Sequence, residues 1–166
     1  ILMLRSHRSF PEADIASFAA QKGCTILSNA TGTFLHLPDA DFSQESLKTP
    51  RIFLLEASAT GGLRPRPACT VESAARHHPS ETVQLLFIVK VLLLNNALKS
   101  LLRLPNVRFG VLIPERLFAQ TPLQEWYASP QRQASRYPAS HLSDASRIAL
   151  LYKLGGTYLD TDMVVL

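Results

Sequence analysis

Residues 141–166 read HLSDASRIALLYKLGGTYLDTDMVVL, and this stretch decides the fold class. Its apolar residues recur at intervals of three and four: Ile148, Leu151 and Tyr152. This spacing predicts one face of a helix. We expect the helix to begin at Asp144 with Ser143 as its N-cap, because a serine side chain can accept from the free N–H groups of the first turn. Gly155 is expected to end the helix in a left-handed conformation.

The second half of the stretch predicts a strand, at residues 157–159, that returns beside the helix. A helix from Asp144 to residue 154 is about 15 Å long, and the returning strand covers a similar distance at roughly 3.3 Å per residue. Asp144 should therefore lie near Asp160 and Asp162. This is the carboxyl end of the strand, where open α/β sheets bind their ligands.

Two carboxylates separated by one residue are the candidate metal ligands. Asp160 and Asp162 would project to the same side if the strand continued regularly. Hard oxygen ligands suit Mg²⁺ or Mn²⁺, which can also hold a diphosphate and stabilise its charge as it leaves. Asp144 and Arg147 are three residues apart, so both can face one side of the helix.

The preceding sequence alternates between predicted strands and predicted helices. Apolar runs predict strands at 51–58, 82–89 and 107–113. Helices are predicted at 69–79, 95–104 and 121–129, with Thr70 and Thr121 as N-caps and residues 59–67 as a loop. This alternation predicts an α/β fold whose mostly parallel sheet is flanked by helices. Residues 1–49 are weakly patterned and are expected to form a stem or peripheral segment.

Composition excludes some functions and leaves others open. The net charge is +4 at pH 7, but the arginines are scattered, so we expect no nucleic-acid-binding surface. Both ends lie in apolar sequence, and we expect the chain to be a fragment truncated at its C-terminus. We find no signal peptide and no apolar run long enough to span a membrane, so a membrane anchor would lie outside the chain. Cys24 and Cys69 could pair or stay free, and Asn29 begins a glycosylation sequon that could be used or unused.

Residues 143–162, SDASRIALLYKLGGTYLDTD, resemble the donor-binding core of D-x-D glycosyltransferases of the GT-A fold, and especially the α1,4-glycosyltransferases. A second block resembles the start of that catalytic domain in the same order: IFLLEAS at 52–58, CTVESAARHHP at 69–79 and TVQLLF at 82–87. The resemblance covers about residues 50–166. It implies the N-terminal, Rossmann-like nucleotide-binding half of a GT-A catalytic domain that continues past Leu166.

The resemblance also implies roles for particular residues. Asp160 and Asp162 are expected to hold Mn²⁺ or Mg²⁺ and, through it, the diphosphate of a UDP-sugar, with Asp160 also approaching the ribose. Asp144 and Arg147 are expected to contact the donor sugar and its phosphate. The uridine is expected at the strand end formed by Glu56, Ala57 and Ser58.

The implied reaction moves galactose or an N-acetylhexosamine from its UDP donor to a glycolipid or glycan. The anomeric configuration would be retained, and the new linkage would be α1,4. Members of this family are type II membrane proteins of the Golgi apparatus. The acceptor site and the catalytic residues would follow Leu166, so this chain alone is expected to be inactive.

Two alternatives remain open from the residues. A phosphatase of the haloacid dehalogenase type also has an apolar strand that ends in D-x-D, with Asp160 as nucleophile and Asp162 as general acid/base. That motif usually opens its domain, whereas here it follows a long α/β segment. A non-catalytic domain would instead bind UDP without transferring a sugar.

Overall fold

The computed structural model describes residues 12–42, 51–57 and 62–166, which form seven helices and seven strands. In chain order the helices are α1 Glu12–Gln21, α2 Pro65–His77, α3 Asn96–Leu102, α4 Pro114–Phe118, α5 Gln124–Ala128, α6 Pro130–Gln133 and α7 Pro138–Leu154. The strands are β1 Thr25–Asn29, β2 Gly32–His36, β3 Arg51–Glu56, β4 Thr82–Phe87, β5 Val91–Leu93, β6 Val107–Val111 and β7 Thr157–Tyr158.

Four strands form a parallel sheet in the order β6-β4-β3-β7. Alternate residues of β3 enter two apolar clusters: Ile52 and Leu54 join the cluster that contains residues of α2 and α3. Phe53 and Leu55 join the cluster that contains residues of α7. Because both faces of the strand are covered, it has the continuous apolar sequence typical of buried parallel strands. The predicted α/β fold with a parallel sheet flanked by helices is confirmed.

The order of the strands creates a crevice between β3 and β7. The chain moves outward from β3 through β4 to β6, and then returns to pair β7 with the other side of β3. In this pairing Phe53 lies opposite Tyr158. Connections diverge to opposite faces at such a switch point, so a crevice opens at the carboxyl ends of the two strands.

Helix α2 begins earlier than predicted. It starts at Pro65 and not at residue 69, so residues 65–67 are helical rather than loop. Pro65 and Pro67 both lie in the first turn, where the N–H that proline lacks has no partner within the helix. Thr70 is therefore not an N-cap but an interior residue, and it is buried.

Helix α7 also begins earlier than predicted, at Pro138 instead of Asp144. A proline again occupies the first turn. Ser143 and Asp144 lie inside the helix, so the prediction that Ser143 caps it is wrong. The predicted end is confirmed, because the helix stops at Gly155 with φ 64°.

Helix α5 begins at Gln124, so Thr121 is not its N-cap as predicted. The buried Thr121 hydroxyl donates to the Phe118 carbonyl at 2.7 Å. The Gln124 side chain accepts from the Gln120 N–H at 2.7 Å. Both side chains satisfy backbone groups of the turn before the helix, which delays its start.

Residues 12–42 pack against the parallel sheet. Strands β1 and β2 form a hairpin, and β2 also pairs antiparallel with β5. Ile15, Ala19 and Leu35 are buried in the same cluster as residues of β3 and β4. The sequence analysis did not predict these elements. The start of the catalytic domain at residue 50 stays a prediction.

Lys22 joins the end of α1 to the segment that enters β6. Its ammonium donates to the carbonyls of Leu104 at 2.8 Å and Val107 at 2.7 Å. Burial, together with the charge of the neighbouring Arg108, lowers the pKa of Lys22 to about 8. Burial raises the pKa of the Cys24 thiol to about 11.

The structure places the features that the composition left open. Cys24 and Cys69 are both free thiols. Asn29 ends β1 in an exposed hairpin turn, and its Oδ1 accepts from the N–H and the hydroxyl of Thr31 at 2.8 and 2.6 Å. Within the described ranges, we find no helix with the length and apolar character needed to cross a membrane.

Gly156 allows β7 to enter the sheet beside β3. Its φ is 84°, and a Cβ at this position would lie 2.5 Å from the carbonyl oxygen of Arg51. Gly155 also has a positive φ, but a Cβ there would meet nothing within 4 Å. Both glycines therefore need a positive φ, and Gly156 also allows the close approach of the β7 and β3 backbones.

Candidate functional site

A cleft of about 720 Å³ lies at the carboxyl ends of β3 and β7. Its walls are residues 55–57 at the end of β3, residues 64–67 at the start of α2, Ser143 of α7, Tyr158 of β7 and residues 160–162. We call it the donor cleft, after the expectation from the sequence that a sugar donor binds at this end of the sheet. Its position matches the topological switch point, where open α/β sheets bind their ligands.

Asp160 and Asp162 both line the donor cleft. They do not lie on a regular strand as predicted, because β7 ends at Tyr158 and residues 161–162 form a turn. The N–H of Met163 donates to the carbonyl of Asp160 at 3.4 Å in this turn. The turn brings both carboxylates to the same cleft without the side-to-side alternation of a strand.

Arg147 connects α7 to the D-x-D turn. Its Nη2 donates to Oδ1 of Asp144 at 2.8 Å, and its Nη1 lies 3.3 Å from Oδ1 of Asp160. The guanidinium carbon also lies 5.2 Å from the centre of the Tyr158 ring. Its Nε is buried and has no hydrogen-bond partner among the residues the structure describes. Arg147 thus orients Asp160, while its Nε–H donates to no described residue.

Tyr158 keeps its proton at neutral pH. Burial raises the pKa of its phenol above the ordinary value, and the carboxylates of Asp160 and Asp144 raise it further, against the opposing charge of Arg147. A neutral phenol can donate a hydrogen bond. The phenol of Tyr158 is therefore a neutral hydrogen-bond donor next to the carboxylates of the donor cleft.

The opposite wall of the cleft carries positive charge. Glu56 ends β3 with a buried carboxylate, and Nη2 of Arg64 lies 3.8 Å from it. Arg64 and Arg66 are exposed and line the cleft at the start of α2. A helix N-terminus adds partial positive charge to the same wall. This wall suits the anionic part of a ligand.

A smaller pocket of about 170 Å³ adjoins the donor cleft through Leu55, Ala57 and Ser143, which line both. The rest of its wall is mostly apolar: Ile88, Arg132, Pro138, Ala139, Leu142 and Ser146. Ser146 is fully buried, and its hydroxyl has no partner in the described part of the chain. An apolar pocket with a few polar groups suits a flat ring system.

The residues of the cleft fit a divalent cation of the Mg²⁺ or Mn²⁺ type. No cluster of three or more His, Cys, Asp or Glu side chains able to hold a metal occurs in residues 12–42, 51–57 and 62–166. Mg²⁺ does not need one, since it is commonly held by one or two carboxylates with water and substrate phosphates. Asp160 and Asp162 supply that number of hard oxygen ligands.

The structure brings together most of the residues predicted for the site. Glu56, Asp160 and Asp162 line the donor cleft. Arg147 forms an ion pair with Asp160, and Asp144 forms an ion pair with Arg147. Ser58 lies outside the described residues. The ligands and roles of all these residues stay predictions.

The sequence analysis missed Arg64, Arg66, Thr70 and Tyr158 as components of the site. The available signal was the repeated Arg-Pro at 64–67, because proline just after a cap position is typical of a helix start. Interpreting these residues as loop placed the arginines away from any helix. Nothing local marks Tyr158, which needs the pairing of β7 with β3 to reach the cleft.

Known proteins share sequence with this chain. Residues 65–166 match the family described as glycosyltransferase sugar-binding region containing DXD motif. Lactosylceramide 4-alpha-galactosyltransferase of Homo sapiens is 44% identical over 122 residues, which are 69% of this chain and 34% of that protein. The enzyme of the same name from Mus musculus is 41% identical over 139 residues, 76% of this chain and 38% of that protein.

A relative with another name lies further away. Alpha-1,4-N-acetylglucosaminyltransferase of Homo sapiens is 36% identical over 106 residues, 58% of this chain and 31% of that protein. Among solved structures, PaToxG glycosyltransferase aligns with 91% of this chain and 48% of its own, at 12% identity and a TM-score of 0.40, a likeness too low to carry an argument.

The chain spans only about a third of the length of the curated relatives it matches. The family match covers more than half of the chain and includes the residues of the donor cleft from Pro65 to Asp162, but not residues 55–57 and Arg64. The chain belongs to the family of glycosyltransferase sugar-binding regions containing the DXD motif.

Proposed function

We propose that the protein containing this chain is a metal-dependent glycosyltransferase and that this chain binds its UDP-sugar donor. The observation that carries the proposal is the donor cleft, where the two carboxylates of the D-x-D turn face an arginine-bearing wall at the switch point of the sheet. A nucleotide-sugar has complementary parts: a flat base, an anionic diphosphate and a polar sugar.

The diphosphate would lie between the two walls of the donor cleft. Mn²⁺ or Mg²⁺ held by Asp160 and Asp162 would supply Lewis-acid stabilisation of the departing UDP. Arg147 holds Asp160 in place through the ion pair between the two side chains. Arg64 and Arg66 add positive charge from the start of α2. Fixed charges aimed at a leaving group stabilise the transition state without reorganising.

The nucleobase would occupy the smaller pocket. This pocket adjoins the cleft at Leu55, Ala57 and Ser143, so a base there and a diphosphate in the cleft belong to one continuous ligand. The buried hydroxyl of Ser146 has no partner among the described residues and could bind a polar edge of the base. The sugar would then extend toward Asp144 and Arg147, as the family resemblance implies.

The names of the relatives support a proposal for the donor sugar and the acceptor. The two names in the comparisons point to galactose or N-acetylglucosamine as the transferred sugar and to lactosylceramide as one acceptor. We propose transfer to a glycolipid or glycan with retention and an α1,4 linkage. The catalytic domain would face the Golgi lumen and be attached to the membrane by an anchor outside this chain.

Calorimetric titration of the full-length parent with UDP, with and without Mn²⁺, tests the proposal. Wild type should bind UDP in a manganese-dependent way, and the double variant Asp160→Asn, Asp162→Asn should lose this dependence because both carboxylate ligands are gone. Asp14→Asn is a matched control, since Asp14 is exposed on α1 and does not line the cleft.

The outcomes separate the candidate functions. Manganese-dependent UDP binding that survives in the double variant would overturn the metal assignment. Binding without sugar transfer to any acceptor would favour a non-catalytic UDP-binding protein. No UDP binding in wild type, together with Mg²⁺-dependent hydrolysis of phosphoesters, would favour the phosphatase alternative.

A further inference from the structure

We propose that Thr70 and Ser73 of α2 are positioning residues that hold the D-x-D turn in its ligand-binding geometry. The inference rests on the proposed function and extends it to a helix that supplies no carboxylate. The hydroxyl of Thr70 donates to the carbonyl of Thr161 at 3.0 Å. Thr161 is the residue between Asp160 and Asp162, so the bond falls on the peptide that separates the two carboxylates.

A second hydroxyl holds the same segment one turn further along α2. Oγ of Ser73 accepts from the N–H of Val165 at 3.1 Å and donates to the carbonyl of Thr70 at 2.9 Å. The two side chains therefore fix the backbone at Thr161 and at Val165. Helix α2 therefore binds the backbone once within the D-x-D turn and once three residues after it.

The turn needs this support because the sheet does not provide it. β7 contains only Thr157 and Tyr158, and its last backbone bond to β3 is from Leu159 N–H to the carbonyl of Phe53 at 2.9 Å. Among the described residues, no backbone hydrogen bond to β3 follows Leu159, so the strand cannot fix the direction of the following carboxylates. The hydroxyl of Thr70 binds the backbone at Thr161, two residues after the last backbone bond to β3.

The Thr70 hydroxyl has two acceptors within reach. It lies 3.3 Å from the carbonyl of Arg66 in its own helix and 3.0 Å from that of Thr161. A hydroxyl has one proton, and the shorter distance favours the bond to Thr161. The side chain is 1% exposed, so water does not replace this bond when the hydroxyl is removed.

The same helix carries the positive wall of the donor cleft. Arg64 and Arg66 precede Thr70 by one to two turns and line the same cleft as the D-x-D turn. A shift of α2 would therefore move the positive wall and the metal-binding turn together. Thr70 and Ser73 join the two walls into one unit.

Thr70→Val tests the inference in the full-length parent because it removes the hydroxyl and preserves the shape. The affinity for UDP in the presence of Mn²⁺ should fall roughly three- to tenfold, the effect of one lost hydrogen bond. UDP binding without Mn²⁺ should not change, and Thr70→Ser should restore the wild-type affinity. Thr121→Val is the matched control, since Thr121 is also buried and donates to a backbone carbonyl away from the cleft.

Amide hydrogen exchange of residues 159–165 provides a readout that does not need the ligand. Exchange should accelerate several-fold in Thr70→Val and Ser73→Ala, and stay at the wild-type rate in Thr70→Ser and Thr121→Val. Equal exchange and equal manganese-dependent affinity in Thr70→Val and wild type would overturn the positioning role. If wild type failed to bind UDP, the proposed function would fall, and the exchange rates alone would decide the positioning role.

Discussion

The guanidinium of Arg147 and the carboxylate of Asp160 lie 3.3 Å apart, although one belongs to α7 and the other to the turn after β7. Arg147 also binds Asp144 at 2.8 Å. Arg147 therefore pairs with two carboxylates, and Asp162 lines the same cleft. A divalent cation held by Asp160 and Asp162, as proposed above, would offset their negative charges.

Arg147→Ala should weaken binding of UDP with Mn²⁺ by roughly 10- to 100-fold, as expected for the loss of a charge-assisted hydrogen bond. The arginine orients Asp160, and its positive charge would also attract the diphosphate, so two effects add. Calorimetry measures the affinity, and circular dichroism checks that the fold is kept. Arg76→Ala is the control, because Arg76 pairs with Glu72 on the exposed side of α2. Equal affinities of Arg147→Ala and wild type would remove Arg147 from the site.

Gly156→Ala should destabilise the protein more than Gly155→Ala. Both variants put a side chain at a positive φ, which costs about 1–3 kcal/mol. Only the first also places a Cβ against the Arg51 carbonyl. Urea denaturation of both variants measures the difference, which we expect to exceed about 1 kcal/mol. Equal midpoints would show that β3 and β7 can separate at no cost.

Lys22→Met should lower stability at pH 7, because the carbonyls of Leu104 and Val107 lose their donor, at about 1–3 kcal/mol for each buried group left unpaired. Chemical denaturation measures the loss.

The same pair of proteins should diverge further at alkaline pH. The folded-state pKa of Lys22, about 8, is below its ordinary value of 10.5, so the unfolded chain binds more protons between these two pH values. The stability of wild type relative to Lys22→Met should therefore rise as the pH increases from 8 to 10.5. Cys24 has a raised pKa with the opposite effect near pH 9–11, and its charge interacts with Lys22, so the comparison is made in a Cys24→Ala background. A constant difference across this range would show that Lys22 titrates normally.

Asn29 should carry an N-linked glycan if the parent enters the secretory pathway. The sequon lies in an exposed hairpin turn, where such modification is accessible. Full-length protein from mammalian cells should shift in electrophoresis after treatment with peptide-N-glycosidase, and Asn29→Gln should abolish the part of the shift due to this site. Peptide mass spectrometry of residues 25–36 provides the direct measurement. An unmodified Asn29 in protein recovered from the Golgi would contradict the prediction.

Sequence patterns were sufficient for the parallel sheet, because buried parallel strands have apolar runs that leave little choice, but they did not predict the turn that carries Asp160 and Asp162. They failed at helix starts. Two prolines at 65 and 67 resemble a loop by composition, yet each fits a first turn, and only packing against the sheet shows that they are helical. Pro138 caused the same error in α7.

The residues of the site that lie close together in the sequence were predicted from it. Asp160 and Asp162 lie close together in the chain, and one helical turn relates Asp144 to Arg147. Thr70 could not be predicted, because its bond to Thr161 joins residues 91 positions apart. The elements of residues 12–42 were missed because their strands are short and exposed on one face, which leaves a weak hydrophobic pattern.

The strand order also fixes when the donor cleft can form during synthesis. Glu56 and Asp162 line the same cleft, but at 5–20 residues per second roughly five to twenty seconds separate their emergence from the ribosome. During this interval the side of β3 that will receive β7 is an unpaired sheet edge, which is prone to wrong pairing. Helix α7 is made immediately before β7, so it can cover one face of β3 before the edge closes. In the nascent chain, the cleft is completed only after the other three strands of the parallel sheet have been synthesised.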